Sequence, residues 1–239
     1  MPTQPLDRLL DREFSVVAAR ELIDMVSPLL VEIINYGTNV FARCATLGTS
    51  EPNEDLAPLM LYLHMLEFTD GIEALLRQSC VYPAIPLLRS CFEAYLQLEY
   101  ILQDDGEYTN RSLGWLAHYA RTRVKNREYF DPTSKVGTPI ANLLRSDELC
   151  RNIEWPTPFA IKKDNEALSK LVRNMPKEAQ GVVFQTEKLA KELSRYAQYT
   201  LLYRHWSSIS HAVDVSRFIA RSRDGGEGVR SLRNAEELL

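Results

Sequence analysis

Through most of this chain, apolar residues return every three or four positions with few interruptions, a spacing that a helix can bury along one face and a strand cannot. From Asp7 to about Cys44 the series runs Leu10, Phe14, Val17, Leu22, Met25, Leu29, Ile33, Tyr36, Val40. It describes one long amphipathic helix, or two that meet at Ser27-Pro28, where serine can cap and proline can occupy a first turn. Only 10 glycines occur in 239 residues, fewer than average usage supplies, while Leu, Glu, Arg and Ala fill long stretches. Strand signals are nearly absent. Gly181-Val182-Val183-Phe184 has some β-branched character and no partner segment of its kind. The pattern predicts an all-α helical bundle.

Turn residues divide the bundle. Gly48 to Asn53 reads as a loop, and a second helix follows from about Pro58 to Cys80. The prolines of Tyr82-Pro83-Ala84-Ile85-Pro86 fit a first turn, so a third helix starts there and runs to about Asp104, with Leu88, Phe92, Tyr95 and Leu96 as its apolar stripe. A fourth spans Tyr108 to Tyr129. Between about 130 and 163, Pro132, Pro139, Pro156 and Pro158 surround a short helix from about Ile140 to Arg151, which predicts a long loop-rich insert. A short helix near Asn165 to Arg173 precedes a final helical region from about Phe184 to Arg221. The expected organisation is one helical-bundle domain over 1–223 and a flexible C-terminal tail over 224–239.

The formal charge of -4 argues against a protein whose main business is non-specific duplex binding. One local exception stands out. Arg121, Arg123, Lys125 and Arg127 occur on the fourth helix with no acid among them, a run that can track an RNA backbone or form a solvated helix face. Cys44, Cys80, Cys91 and Cys150 lie far apart and form no CxxC pair, so they read as small core residues of a reducing compartment. The N-terminus lacks the apolar region of a signal peptide, and no apolar window is long enough to span a bilayer, so the expected location is cytoplasmic without membrane attachment.

The chemistry concentrates in Tyr203-Arg204-His205-Trp206-Ser207-Ser208-Ile209-Ser210-His211. Seven positions along a helix make almost two turns, so Arg204 and His211 differ by only about 20° in azimuth. A permanent cation then shares a face with an imidazole that titrates near neutrality. Ser208, one turn from Arg204, and Ser207, one turn from His211, can position phosphate or water. The plainer reading pairs Arg204 with an acid on another helix and leaves His211 as a partly buried, hydrogen-bonded histidine. Arg89 and Glu93 stand at i,i+4 on the third helix, either as an exposed ion pair or, among Leu88, Phe92 and Leu96, as partly buried support in which Glu93 orients Arg204 or His211. His64-x-x-Glu67 has no second copy, and no phosphate loop, dinucleotide fingerprint, nucleophile elbow or HExxH occurs, so neither a metal nor a cofactor is implied.

Arg89-Ser90-Cys91-Phe92-Glu93, followed far downstream by Ser207 or Ser208 and His211, resembles a bacterial helical family, the domain of unknown function 5677. Arg204-x6-His211 also resembles the R-x4-6-H signature of the HEPN superfamily, helical bundles that are often dimeric and include many metal-independent ribonucleases of toxin, defence and RNA-processing systems. The resemblance implies a homodimer acting on RNA, with an antitoxin or defence-complex partner, Arg204 and His211 as catalytic pair, and Ser207, Ser208, Arg89 and Glu93 in support. HEPN-like domains without nuclease activity imply the alternative, a non-catalytic helical module that binds a nucleotide or a partner protein.

Overall fold

The computed structural model describes residues 16–45, 54–127, 129, 131–146, 158–210, 219–221 and 227–229. These form an all-α helical protein. In chain order the helices are α1 (Arg20–Ala45), α2 (Leu56–Arg77), α3 (Val81–Leu102), α4 (Tyr108–Arg127), α5 (Gly137–Ser146), α6 (Pro158–Asn174), α7 (Lys177–Gln180), α8 (Thr186–Glu192), α9 (Tyr196–Gln198) and α10 (Arg204–Ser210), with a π-helical turn at Tyr199–Tyr203 between the last two. Among the described residues no helix is long and apolar enough to cross a membrane.

Helix α1 runs unbroken through Pro28, which settles the choice left open at Ser27-Pro28. Ser27 contributes by pairing away from its own backbone: its buried hydroxyl donates to Glu73 of α2, and Arg77 Nε donates to Ser27 Oγ at 3.1 Å and also to the Glu73 carboxylate. Helix α3 carries Pro83 in its first turn, where a missing amide donor costs little, whereas Pro86 lies inside the helix and takes one donor from the hydrogen-bond ladder. Helix α2 ends at Arg77 rather than near Cys80. Ser79 takes φ 55°, and the bonds Cys80 N to Leu75 O and Ser79 N to Leu76 O close a Schellman cap. Ser194 repeats this device after α8, with Arg195 N bonded to Ala190 O and Ser194 N to Lys191 O.

The chain packs as two compact units. The first comprises residues 1–50, 58–100 and 185–239. Its core includes Leu61, Ile72, Ala84, Ile85, Ala94, Leu96, Leu189 and Ile209, all buried. The second comprises 51–57 and 101–184, where α4 packs on α6 and α7 around Ile101, Leu116, Ala117, Ala120, Met175 and Ala179. The stretch expected as a loop-rich insert supplies α5 and the first turns of α6 to this second unit, so α6 begins earlier than its apolar spacing predicts. Gly114 makes the α4–α7 approach close: a Cβ there would lie 2.7 Å from the Ala179 carbonyl oxygen and 2.7 Å from Val182 Cβ.

Two strands depart from the expected absence of sheet. Ile219–Arg221 pairs antiparallel with Glu227–Val229, Ile219 opposite Val229, Ala220 opposite Gly228 and Arg221 opposite Glu227. Three residues are too few to register as alternation. The second strand lies in the stretch expected as a free tail; the other residues of 224–239 lie outside the described residues.

Candidate functional site

The site grows from the junction of α3 with the π turn. Arg89 and Glu93, one helical turn apart on α3, form an ion pair with Nε–Oε1 at 3.2 Å, both side chains a quarter to a third exposed. Tyr203 joins them from 110 residues further along: its hydroxyl donates to Glu93 Oε1 at 2.6 Å and accepts from Arg89 Nη2 at 3.1 Å. Burial, together with the Glu93 carboxylate, raises the Tyr203 pKa above the ordinary phenol value, so this hydroxyl keeps its proton and remains a donor. Arg89 also lies over the Tyr203 ring, 5.1 Å from its centroid. The carboxylate of the RSxxE signature therefore meets the late helical region at Tyr203, the residue before Arg204.

Aromatic packing fixes that junction. Phe92 of α3 sits 6.0 Å from the Tyr203 ring and meets Trp206 edge-on at 6.1 Å. Tyr196, Tyr199 and Tyr203 stack in series with ring centroids 5.9 and 5.1 Å apart and planes 19° apart at both steps. Each ring of this ladder carries a cation: Lys191 over Tyr196 at 5.0 Å, Arg204 over Tyr199 at 5.7 Å, and Arg89 over Tyr203. The i, i+3, i+7 spacing of the three tyrosines is a sequence signal that motif reading passes over. The π turn carries no such signal. By inserting one residue into the helix it rotates Arg204 relative to the azimuth that an uninterrupted α-helix would give it.

Arg204 opens α10 with its side chain exposed. The Glu187 carboxyl sits below the usual range chiefly because Lys191 donates to it at 2.8 Å, and the Arg204 charge adds to that effect. Ser207 is half-buried, and Ser208 donates to the His205 carbonyl at 2.7 Å, leaving its oxygen able to accept. His205 is exposed. His211, the expected acid/base partner, lies outside the described residues.

The basic run is divided by its own helix. At about 100° per residue, Arg121 and Lys125 share one side of α4 while Arg123 and Arg127 lie on another. Arg121 donates to the Gln180 carbonyl at 3.0 Å and so serves the end of α7. Arg123 donates to the Tyr119 hydroxyl at 2.9 Å, over a ring that stacks 5.6 Å from Trp115. Lys125 is exposed, and the Arg127 side chain lies outside what is described.

Other expected features take plainer roles. His64 hydrogen-bonds Ser90 Oγ at 2.9 Å and packs on Phe68 at 4.0 Å. Cys80 is buried and Cys91 half-buried, its thiol pushed up by burial, but Cys44 is exposed near the end of α1 and is not a core residue. Cys150 lies outside the described residues.

Neither a curated protein nor a solved structure matches the chain. A family model described as a family of unknown function, DUF5677, matches residues 55–227, a span that contains α2 through α10 and both signatures but leaves out α1. The match covers well over half of the sequence, so the protein belongs to that family of unknown function, DUF5677.

Proposed function

We propose that the chain is a HEPN-like, metal-independent endoribonuclease of a bacterial defence or stress response, with Arg204 and His211 as its catalytic pair. The observation that carries this reading is the anchoring of Arg204. Tyr203 is tied to Arg89 and Glu93, Tyr199 lies beneath the guanidinium, and Arg204 is still an exposed residue. A cation held this way stabilises charge on phosphoryl oxygens with little reorganisation. In the reaction a base takes the ribose 2′-hydroxyl proton and the oxygen attacks the adjacent phosphorus. The bond to the 5′-oxygen breaks, and that oxygen leaves with a proton from an acid. Neutral imidazole serves as the base and imidazolium as the acid, so His211 and its counterpart in a second copy divide the two transfers.

The rival, a non-catalytic module that binds a nucleotide or a partner protein, draws on a different observation: Arg89 and Glu93 satisfy each other and Tyr203, which is what a structural brace does. Cleavage of a mixed RNA in excess EDTA separates the two. The ribonuclease reading expects cyclic phosphate ends from the wild type and none from folded Arg204→Ala or His211→Ala. Equal background from all three proteins overturns it in favour of binding.

A further inference from the structure

We propose that a cavity between the start of α1 and the end of α2 binds a phosphorylated ribose compound of mononucleotide size, its phosphate held by Arg20 and Arg77 and its vicinal hydroxyls by Asp24. The cavity measures about 580 Å³ and lies wholly within the first compact unit. Sites that take small molecules occupy about 300–1,000 Å³, so this volume suits a nucleotide better than a bare ion. Arg20, Asp24 and Ser27 stand at i, i+4 and i+7 on α1, within about 60° of arc, and all three line the cavity. Arg77 joins them from the last turn of α2.

Both cations have bonding capacity left, and one of them is held in place. Arg77 donates through Nε to Ser27 Oγ at 3.1 Å and to the Glu73 carboxylate. Among the described residues its two terminal nitrogens have no hydrogen-bond partner, and its side chain is 56% exposed. A guanidinium fixed through Nε presents that outer edge as a planar fork, the geometry that takes two oxygens of one phosphate. Arg20 stands exposed one turn before Asp24, yet among the described residues neither takes part in a hydrogen bond or an ion pair.

Acceptors sit beside these cations. Pro28 has no amide hydrogen, so the Asp24 carbonyl lacks the donor that an α-helix normally supplies from four residues ahead. Asp24 thus brings a free carboxylate and an under-satisfied carbonyl, and both it and Pro28 line the cavity. Such a wall calls for a ligand with hydroxyl donors as well as negative charge, because a simple dianion would meet the Asp24 charge with no donor to place against it. Asp24 follows Arg20 by about 6 Å along the helix axis, a separation that a ribose ring bridges between its 5′-phosphate and its 2′,3′-diol. A carboxylate that accepts from ribose hydroxyls is a recurrent mode of nucleotide recognition. Ile23 adds an apolar wall on which the sugar or base face can pack.

The cavity shares no residue with the node of Arg89, Glu93 and Tyr203, so the proposal stands without the ribonuclease reading. The experiment is isothermal titration calorimetry of the full chain with 5′-AMP, 2′-deoxy-5′-AMP and inorganic phosphate. It is repeated on Arg20→Ala, Asp24→Ala and Arg204→Ala, with far-ultraviolet circular dichroism to check folding. Arg20 and Asp24 are exposed helical positions, which alanine occupies without loss of helix. The expected result is a single class of AMP site in the wild type and in Arg204→Ala, with affinity about tenfold or more weaker in Arg20→Ala. The deoxy form and inorganic phosphate should bind the wild type more weakly than AMP, and Asp24→Ala should remove the preference for AMP over its deoxy form. No AMP binding by the wild type, or AMP binding unchanged in both α1 variants, overturns the proposal. Inorganic phosphate bound as tightly as AMP overturns the ribose assignment. Binding lost in Arg204→Ala alone assigns the nucleotide to the other site and overturns the proposal as well.

Discussion

Tyr203 donates to Glu93 Oε1 at 2.6 Å while accepting from Arg89 at 3.1 Å, so one phenol closes an ion pair that lies 110 residues away. Tyr203→Phe keeps the stack on Tyr199 and removes both bonds. Since one acceptor is a carboxylate and the hydroxyl is largely buried, the loss should be about 1–2 kcal/mol in urea denaturation. Tyr203→Ala also removes ring packing and should cost about 3–5 kcal/mol. Equal losses from the two variants would show that the ring contributes little and the hydroxyl nearly everything.

Two carboxylates give the first unit an acid limit. Glu99 is held below the ordinary carboxylate range chiefly by the hydrogen bonds of Arg195, at 2.7 and 3.2 Å. For Glu73, burial pushes the pKa up, but the hydrogen bonds of Ser27 and Arg77 and the Arg77 charge together outweigh it and leave a lowered value. Groups with depressed folded pKa values stabilise fully above their unfolded value, about 4.5, and that stability is lost as pH falls through the lower folded values. The urea midpoint should therefore be level above about pH 5 and fall below about pH 4.5. Glu73→Gln should lower the plateau and flatten the acid slope, which a series of urea titrations at stepped pH reads directly.

Two glycines should respond differently to the same substitution. Alanine in a helix interior is favoured over glycine by about 1 kcal/mol. At Gly114 the new Cβ meets a backbone oxygen and Val182 at 2.7 Å, neither of which can yield easily, so overpacking of about 1–3 kcal/mol wins and Gly114→Ala destabilises. At Gly37 the obstacle is the far end of the Leu66 side chain, which can change rotamer, so Gly37→Ala should cost distinctly less. Thermal unfolding of both variants supplies the comparison.

If the protein engages RNA through α4, its four basic residues should not behave alike. Lys125→Ala should weaken binding across sequences and reduce the salt slope by about 1, the signature of a phosphate contact. Arg121 serves the Gln180 carbonyl, so Arg121→Ala should lower thermal stability while changing the salt slope less. Filter binding at several salt concentrations, beside melting curves, distinguishes the two patterns.

The sequence by itself determined the helical class and the approximate positions of α1 through α4, because the spacing of apolar residues and a proline such as Pro83 at a first turn are local properties that a single chain displays. It also brought forward Arg89, Glu93 and Arg204. Tertiary structure decided what those residues touch. Tyr203 carried no motif, and its bond to Glu93 exists only because α3 and the π turn pack together through Phe92 and Trp206. Helix ends shifted where serines at positions 79 and 194 adopt left-handed backbone usually given to glycine, a choice made by the Schellman bonds around them and invisible to a search for turn residues. The basic run looked continuous in sequence, yet a helix period of 3.6 splits alternate residues onto different sides, and packing then engages Arg121 and Arg123 differently. Periodicity is written along the chain; partnership between distant side chains is a property of the packed molecule, and it was there that the ends of helices and the surroundings of Arg204 were set.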